Sequence, residues 1–448
     1  MQPSPVEPGG TPIPSLADHD RTGGAAERHL VVVGAGPAGL AAAGEAQAAG
    51  ARVLLLEERP VLGGRAVLVP GARGLTEGLM RGLGSAEVWR GSPVWGIAGR
   101  SVAVLRGQRI ETVTAAAVIL ASGAPEVMSP FPGWTLAGVF TLEAAWEALR
   151  AGRITAESGP AIVVARGEQI AVATRLVERG VTVTLVAPAR PNGAPAALSV
   201  ISTAPVEACG NGAVEQVVLD DGTSRPCRLL CIESPRAPSV ELARLAGCPC
   251  VYQPQLGGWV PQYDPMMALH GPTDGLFIAG DAAGVDTPRT AAESGRLAAR
   301  AVLRRFALLA EPEVKIADAR ERLEAAAQPL RHAAREALML GVMPDETVET
   351  WAPAPDTVIC PCEGVRFDML RDAVAGGAVT PDALAARTRC GMGECRWRRC
   401  GAPVLRWLSA LLQVPVGRLP LPTTWPPLRP LPAGALAPPD LARGPADG

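Results

Sequence analysis

The sequence predicts an α/β protein with two dinucleotide-binding units and a small cysteine-rich domain near its C-terminal end. Three observations lead to this prediction. A strand runs into a glycine-rich turn and a helix directly after His29, and a second strand–helix–strand pattern begins at Ala161. Five of the ten cysteines lie between residues 360 and 400. Strands that alternate with helices in this way are typical of parallel-sheet folds.

The composition fits a folded chain of about three domains. The 448 residues are 48% hydrophobic and 19% charged, and the formal net charge is −2. Because such a chain has no basic field to attract a phosphate backbone, we expect no nucleic-acid partner. No apolar run approaches the roughly 20 residues that span a bilayer, so we expect no transmembrane segment.

The N-terminal residues and the cysteine usage both indicate a cytoplasmic protein. Residues 1–28 contain many helix breakers and no apolar segment of a secretory signal, so we expect a flexible extension. In a reducing compartment, clustered thiols bind metal or perform redox chemistry more often than they form disulfides. The sequence therefore indicates a cytoplasmic metalloprotein or redox protein.

The first glycine-rich turn has the spacing of a dinucleotide fingerprint. The strand from Leu30 to Val33 leads into Gly34, Gly36 and Gly39, and an alanine-rich helix and a second strand follow. Gly34 permits the tight turn, Gly36 lets the backbone approach a pyrophosphate, and Gly39 lets the helix pack on the strand. The helix N-terminus offers free N–H groups to the phosphates. Glu57 ends the second strand, where an acid accepts ribose hydroxyls, so we predict a Rossmann-like unit that binds a dinucleotide.

The second strand–helix–strand pattern lacks such a turn. Its loop, residues 165–169, contains one glycine, and Arg166 and Glu168 place side chains where a pyrophosphate needs bare backbone. Glu168 also adds a charge that repels phosphate. We therefore expect a degenerate domain that keeps the NAD(P)-binding fold without binding NAD(P), and a working NAD(P) site is the alternative.

A third apolar strand ends in Gly280-Asp281, shortly before a long helix. Asp281 has two interpretations. It is either an N-capping residue, worth about 1 kcal/mol, or a carboxylate beside a bound cofactor. Together with the first fingerprint, the pattern favours the cofactor interpretation.

The C-terminal cysteines form a group that can converge on one metal centre: Cys360, Cys362, Cys390, Cys395 and Cys400. Four thiolates suit either zinc or an iron–sulfur cluster. Structural zinc sites tend to use C-x₂₋₄-C pairs, whereas Cys360 and Cys362 form a C-x-C pair. A redox cofactor elsewhere in the chain favours a redox-active metal centre, so we favour [2Fe–2S]. Structural zinc and unligated thiols are the alternatives. Gly391 and Gly393 leave N–H groups free to bond cluster sulfurs.

Several segments resemble known flavoprotein subunits. VVVGAGPAGLAAAGEAQAAGARVLLLEERPVLGGR (31–65) resembles the FAD-binding start of the two-dinucleotide-domain flavoprotein reductases. VILASGAPEVMSPFPGWTLAGVFT (118–141) resembles their second FAD segment, and LGGWVPQYD (256–264), LFIAGDAAGV (276–285) and SGRLA (294–298) resemble the third. CPCEGV (360–365) with TRCGMGECRWRRC (388–400) resembles the BFD-like [2Fe–2S] domain.

In this order, and with WPPLRPLPAGALA (425–437), the chain resembles the α subunits of opine oxidases and of hydroxyproline or proline dehydrogenases, and the B subunit of hydrogen cyanide synthase. The resemblance implies an FAD-dependent flavoprotein of the pyridine-nucleotide-disulfide oxidoreductase type, with an NAD-like domain inserted in the FAD domain and a small helical BFD-like domain at the end. The expected divisions are an extension (1–28), the first FAD part (29–150), the NAD(P)-like domain (151–250), the second FAD part (251–310), a helical connector (311–354), the [2Fe–2S] domain (355–412) and a Pro-rich tail (413–448).

The resemblance also implies the residues of two cofactor sites. The FAD-binding residues are Gly34, Gly36, Pro37, Ala38, Gly39, Glu57, Glu58, Gly64, Arg65, Ser122, Gly123, Gly280 and Asp281. The cluster ligands are Cys360, Cys362, Cys395 and Cys400, with Cys390 as a substitute. The chain departs from the family at Trp397, where the family has glycine, and at Arg396, where it has glutamine.

Family resemblance implies electron transfer rather than substrate chemistry, and we expect no catalytic residue in this chain, which has only four histidines. The implied partner is a β flavoprotein of the amino-acid oxidase type that oxidises an amine, and a small ferredoxin-like γ subunit is a further implied partner. Electrons would leave to a respiratory acceptor, which would place this cytoplasmic protein at the inner membrane surface. The alternatives are a self-contained NAD(P)H-dependent reductase of ferredoxin or another small acceptor, and a zinc-stapled binding or scaffold subunit.

Overall fold

The structure is a computed structural model that describes residues 28–69, 71–165, 170–339, 348 and 353–436. Nearly all of the expected N-terminal extension, the loop residues 166–169 and the end of the tail lie outside the described residues.

Among the described residues, strands outnumber helices up to Arg305, and helices dominate after it. The strands are β1 (Arg28–Val33), β2 (Val53–Leu56), β3 (Glu87–Trp89), β4 (Val94–Ala98), β5 (Ser101–Arg106), β6 (Arg109–Leu120), β7 (Val139–Thr141), β8 (Ala161–Val164), β9 (Val183–Val186), β10 (Ser199–Ile201), β11 (Pro205–Cys209), β12 (Gln216–Leu219), β13 (Ser224–Pro226), β14 (Leu229–Ile232), β15 (Cys250–Gln253), β16 (Gly258–Pro261), β17 (Leu276–Ile278), β18 (Val358–Cys360) and β19 (Val365–Arg366). The helices are α1 (Pro37–Ala48), α2 (Ala72–Arg81), α3 (Leu142–Arg150), α4 (Ala171–Glu178), α5 (Glu241–Leu245), α6 (Pro288–Arg305), α7 (Pro312–Ala326), α8 (Pro329–Met339), α9 (Phe367–Ala375), α10 (Pro381–Thr388) and α11 (Gly401–Leu412).

The first sheet has the strand order β3-β2-β1-β6-β5-β4, and β17 also pairs with β6. β1 is parallel to β2 and to the second half of β6, and β17 is parallel to the same half of β6. β4 and β5 add an antiparallel edge. Such strands are buried on both faces, so they read as continuous apolar runs, and Leu30, Val31 and Val32 have no exposed surface. This is the α/β Rossmann-like architecture that the first fingerprint predicts.

Helices α1 and α6 pack against each other at backbone contact distance. A Cβ atom added at Gly295 of α6 would lie 2.1 Å from the carbonyl oxygen of Ala38 in α1. The buried face of α1 is correspondingly small and includes Ala41, Ala42 and Ala43. Because backbone meets backbone here, α6 fixes the position of the first turn of α1.

The second sheet is entirely parallel, in the order β10-β9-β8-β14-β7. Its edge strand β7 pairs with β14 in the register Val139–Leu230 to Thr141–Ile232. The division at residue 151 stays a prediction, and β7, which precedes it, pairs with this sheet. A three-residue strand is assigned to a sheet by its distant partner, which local pattern does not reveal.

The cysteine-rich segment forms a small unit of the hairpin β18–β19 and helices α9, α10 and α11. Thr380 caps α10 by accepting a hydrogen bond from the Ala383 N–H, as its sequence position indicates. We define the C-terminal strap as residues 413–436. It runs from this unit back over the first sheet, where the Leu428 N–H donates to the Trp95 carbonyl at 2.8 Å. Among the described residues, no helix combines the length and apolarity needed to cross a membrane.

The close packing of α1 on α6 predicts an asymmetric response to two Gly→Ala substitutions. Gly295→Ala overpacks the contact, should cost about 1–3 kcal/mol and should lower the thermal unfolding midpoint. Gly74→Ala in α2 is the matched control, because its new Cβ meets nothing within 4 Å and Ala is the better helix former. Equal midpoints for the two variants would contradict the packing described here.

Candidate cofactor site and metal centre

A cavity of about 280 Å³ lies where the strands of the first sheet end. Its wall includes Val33, Leu56 and Ala121, which end or directly follow β1, β2 and β6. Ligands of open α/β sheets bind in this position. The structure brings the following sequence-predicted residues to the cavity wall: Gly34, Gly36, Pro37, Ala38, Glu57, Glu58, Gly64, Arg65, Ser122, Gly123, Gly280 and Asp281.

The glycines of the first turn divide into two kinds. A Cβ atom at Gly34, whose φ is +102°, would lie 2.3 Å from the Ala121 carbonyl oxygen, and one at Gly39 would lie 1.7 Å from the Gly34 carbonyl oxygen. These two glycines serve packing within the protein. A Cβ at Gly36 would meet no atom within 4 Å, so this position is left open toward the cavity at the N-terminus of α1. The open position fits a pyrophosphate, which the free N–H groups there would bind.

Glu57 lies buried at the base of the cavity. Its Oε2 accepts a hydrogen bond from the Ala35 N–H at 2.6 Å, and its Oε1 accepts one from the Arg59 N–H at 2.8 Å. Burial raises the pKa of the Glu57 carboxyl, and the two backbone hydrogen bonds oppose that shift. Glu57 therefore also fixes the glycine turn, in addition to the ribose contact that the sequence predicts.

Arg65 is held on the cavity wall by acids from the second segment. Its Nη1 lies 3.0 Å from a carboxylate oxygen of Glu143 and 3.3 Å from one of Glu126. The Glu143 carboxylate also pairs with Arg59. Burial raises the pKa of the Glu143 carboxyl, but the combined attraction to the Arg65 and Arg59 guanidinium groups is the stronger effect, so this pKa is lowered. This arrangement ties the end of β2 to α3 of the second unit.

Asp281 pairs with Arg236, and its Oδ1 accepts a hydrogen bond from the Asp286 N–H at 3.1 Å. Burial raises the pKa of Asp281, and Arg236 opposes the shift. The N-capping alternative does not hold for the long helix, because Thr287 caps α6 by accepting from the Thr290 N–H. Asp281 instead lies in a short turn on the cavity wall, as the cofactor interpretation requires.

Three of the five C-terminal cysteines converge in the interior of the small helical unit. The sulfur atoms of Cys360, Cys390 and Cys400 lie within 4.8 Å of one another, and all three residues are buried. Cys360 ends β18, Cys390 follows the left-handed residue Arg389 at the end of α10, and Cys400 precedes α11. A buried set of thiols is the donor chemistry that zinc and iron–sulfur centres use.

The thiols also form two hydrogen-bonded groups. Cys390 and Cys400 stabilise the Cys360 thiolate and lower the pKa of Cys360 well below its usual range, with help from the Gly391 N–H. Burial raises the pKa of Cys395 to about 11, and Cys362 is its hydrogen-bonding neighbour. A buried group of thiols of this kind is compatible with an iron–sulfur centre.

The loop between Cys395 and Cys400 is strained. Arg396 and Trp397 have φ angles of +49° and +67°, a region that costs a non-glycine residue about 1–2 kcal/mol. The family's glycine at position 397 would remove this cost there. A Cβ at Gly391 would lie 2.0 Å from the Trp397 ring. The indole therefore packs where any residue other than glycine at position 391 would place its side chain.

Several cavity residues escape the sequence analysis. Arg236 and Asp286 come from loops with no motif, whereas Arg398 lies within the cysteine loop and Arg429 within the C-terminal strap. No local signal identifies them, because each reaches the cavity only through the packing of distant segments.

Comparisons with known proteins agree with this geometry. Residues 28–187 match the family described as pyridine nucleotide-disulphide oxidoreductase. Over 444 residues the chain is 31% identical to the opine oxidase A subunit of Agrobacterium tumefaciens (strain Ach5), covering 85% of each protein. It is 27% identical to the hydrogen cyanide synthase subunit HcnB of Pseudomonas protegens, covering 92% of this chain and 97% of the relative. The crystal structure of L-proline dehydrogenase from P. horikoshii has a TM-score of 0.74 over 92% of this chain and 79% of that one, at 22% identity. This likeness confirms the α/β Rossmann-like fold.

Proposed function

The chain belongs to the family of opine oxidase A subunits and is an FAD-dependent oxidoreductase, and from that premise we propose that it is the electron-transfer subunit of a heteromeric amine or amino-acid dehydrogenase. Its relatives are named as subunits, which supports a partner. The partner that we propose is a β flavoprotein of the amino-acid oxidase type, which oxidises an opine, proline-like or glycine-like amine. Electrons then pass through FAD and a [2Fe–2S] cluster of this chain to a respiratory acceptor.

One loop carries this proposal. Residues 395–400 contribute two thiols to the cysteine group, and Arg398 of the same loop lines the dinucleotide cavity. A flavin and a metal centre bound at these places would therefore share one short segment as a common wall. The shared segment would hold both groups in one folded chain, as electron transfer within this chain requires.

For FAD we propose the residues that line the cavity. The N–H groups at the start of α1 would bind the pyrophosphate, the open position at Gly36 would admit it, and Asp281 would face the ribityl chain. FAD supplies the capacity to accept a pair of electrons and release them singly. Gly39, which the resemblance also implies, would act through packing rather than contact.

For the cluster we propose Cys360, Cys362, Cys395 and Cys400, with Cys390 as the thiol that can substitute. The family resemblance carries this choice, because Cys360 has both Cys390 and Cys400 as close neighbours, while Cys362 acts on Cys395. Cys390 is the fifth thiol and lies beside Cys360 and Cys400. A backbone N–H on the Cys360 sulfur would stabilise negative charge there.

Gly36→Val should abolish FAD binding without harming the fold. The new Cβ meets no protein atom within 4 Å, and the backbone at Gly36 is extended, which valine adopts readily. The side chain would occupy the approach path of the pyrophosphate. Flavin content of the purified protein and the unfolding midpoint of the flavin-free form are the two measurements. Full flavin content in the variant would refute the placement of the pyrophosphate.

Cysteine substitutions test the proposed ligand set. Cys395→Ser should bleach the visible cluster absorbance and lower the iron content, whereas Cys390→Ser should keep most of both. The two variants are matched, since each removes one buried sulfur from the same unit. Equal loss in both would overturn the assignment of Cys390 as the substitute.

Purification with and without the candidate β flavoprotein tests the function itself. We expect the lone chain to oxidise NADPH only slowly, and the complex to oxidise an amine and reduce a quinone-type acceptor dye. Rapid NADPH oxidation by the lone chain would favour the self-contained reductase instead. Bound zinc without iron would favour the scaffold subunit.

A further inference from the structure

We propose that Arg398 of the cysteine loop and Arg429 of the C-terminal strap bind the anionic ADP half of FAD, so that the cysteine unit and the strap complete the flavin site. The inference rests on the proposed FAD site and extends it to two residues from outside the dinucleotide fingerprint. Both arginines line the same cavity as Gly36 and Glu57.

Arg398 is positioned by the loop that carries the cluster thiols. Its Nε donates a hydrogen bond to the Cys395 carbonyl oxygen at 3.0 Å. The charges that act on it include the like charge of Arg429 and the opposite charges of Glu241 and Glu58. An anion bound between the two guanidinium groups would offset their repulsion and accept charge-assisted hydrogen bonds from Arg398.

Arg429 reaches the cavity from the C-terminal strap. Its Nε lies 2.9 Å from a carboxylate oxygen of Glu58, and its Nη1 donates to the Leu428 carbonyl at 3.1 Å. The side chain is only 17% exposed. The strap is itself anchored on both sides, by Leu428 on Trp95 and by Thr423 on Asp382 of α10. The arginine is therefore held at the cavity wall before any cofactor binds.

These positions suit the pyrophosphate-bearing half of FAD rather than the flavin ring. Glu58 follows Glu57 at the end of β2, the strand end at which the ribose of a dinucleotide lies. Arg429 is bonded to Glu58, so it lies at this end of the cavity. Guanidinium groups bind phosphate oxygens in pairs of hydrogen bonds, and such charge-assisted bonds are the strong ones.

The arrangement couples the two cofactors. A metal centre bound through Cys395 would fix this residue, whose carbonyl oxygen holds Arg398, and Arg398 would contact FAD. Since coupling between binding sites is reciprocal, a filled metal centre should strengthen FAD binding, and bound FAD should stabilise the cysteine loop.

The test compares three variants of the full chain after removal of its flavin: Arg398→Met, Arg429→Met and Arg399→Met. Arg399 is the matched control, because it lies in the same loop but is exposed and is not part of the cavity wall. The dissociation constant for FAD is measured by quenching of flavin fluorescence, and that for ADP by competition. We expect Arg398→Met and Arg429→Met to weaken both by roughly 10- to 100-fold, with Arg399→Met unchanged and with riboflavin binding little affected.

Two outcomes would overturn the proposal. If Arg398→Met and Arg429→Met both bind ADP and FAD as tightly as the parent chain does, the two arginines do not belong to the site. If Arg399→Met weakens binding as much as the other two variants, the effect comes from general damage of the loop. Damage to the cysteine loop is detected by measuring the iron content of each variant. If Arg398→Met loses iron, the FAD and ADP affinities of Arg429→Met decide whether the proposal holds, because Arg429 lies outside the loop. A parent chain that binds no FAD at all would refute the proposed function instead, so the two failures are distinguishable.

Discussion

The structure depends on backbone-to-backbone contacts that only glycine permits. Gly39 places α1 against the Gly34 carbonyl, Gly34 places the turn against the end of β6, and Gly295 places α6 against the first turn of α1. Each contact leaves less room than a methyl group needs. Together they hold the N-terminus of α1 at the ends of three strands, and this position gives the cavity its phosphate-binding character.

Charged side chains on the cavity wall connect the first sheet to the second unit, which the glycine turn alone does not do. Asp281 and Arg236 form a partly buried pair, and Arg65 and Arg59 share Glu143. Buried ion pairs contribute little net stability, because the desolvation of the charges offsets their attraction. They do fix side chains in one geometry, and here they connect the first sheet to segments of the second unit. The cavity is therefore a product of the whole flavoprotein body.

The sequence predicts those features of the fold and the site that depend on residues close together along the chain. The strand, the glycine turn and Glu57 lie within thirty residues of one another, so local pattern predicts them well. The edge strand β7 could not be assigned, because only its pairing with β14 places it. Arg236, Arg398 and Arg429 could not be identified either, because they reach the cavity through tertiary packing. The sequence identifies the five C-terminal cysteines as one group. Only the folded chain shows that the Cys390 sulfur lies within 4.8 Å of the Cys360 sulfur.

An anaerobic titration of the purified chain with dithionite tests the central claim most directly, because FAD accepts two electrons and a [2Fe–2S] cluster accepts one. A chain that holds both cofactors should take up about three electrons, with bleaching of flavin and cluster absorbance and a paramagnetic signal from the reduced cluster. An uptake of about two electrons without such a signal would show a flavin alone. That result would contradict the account of this protein as a path from flavin to iron–sulfur centre.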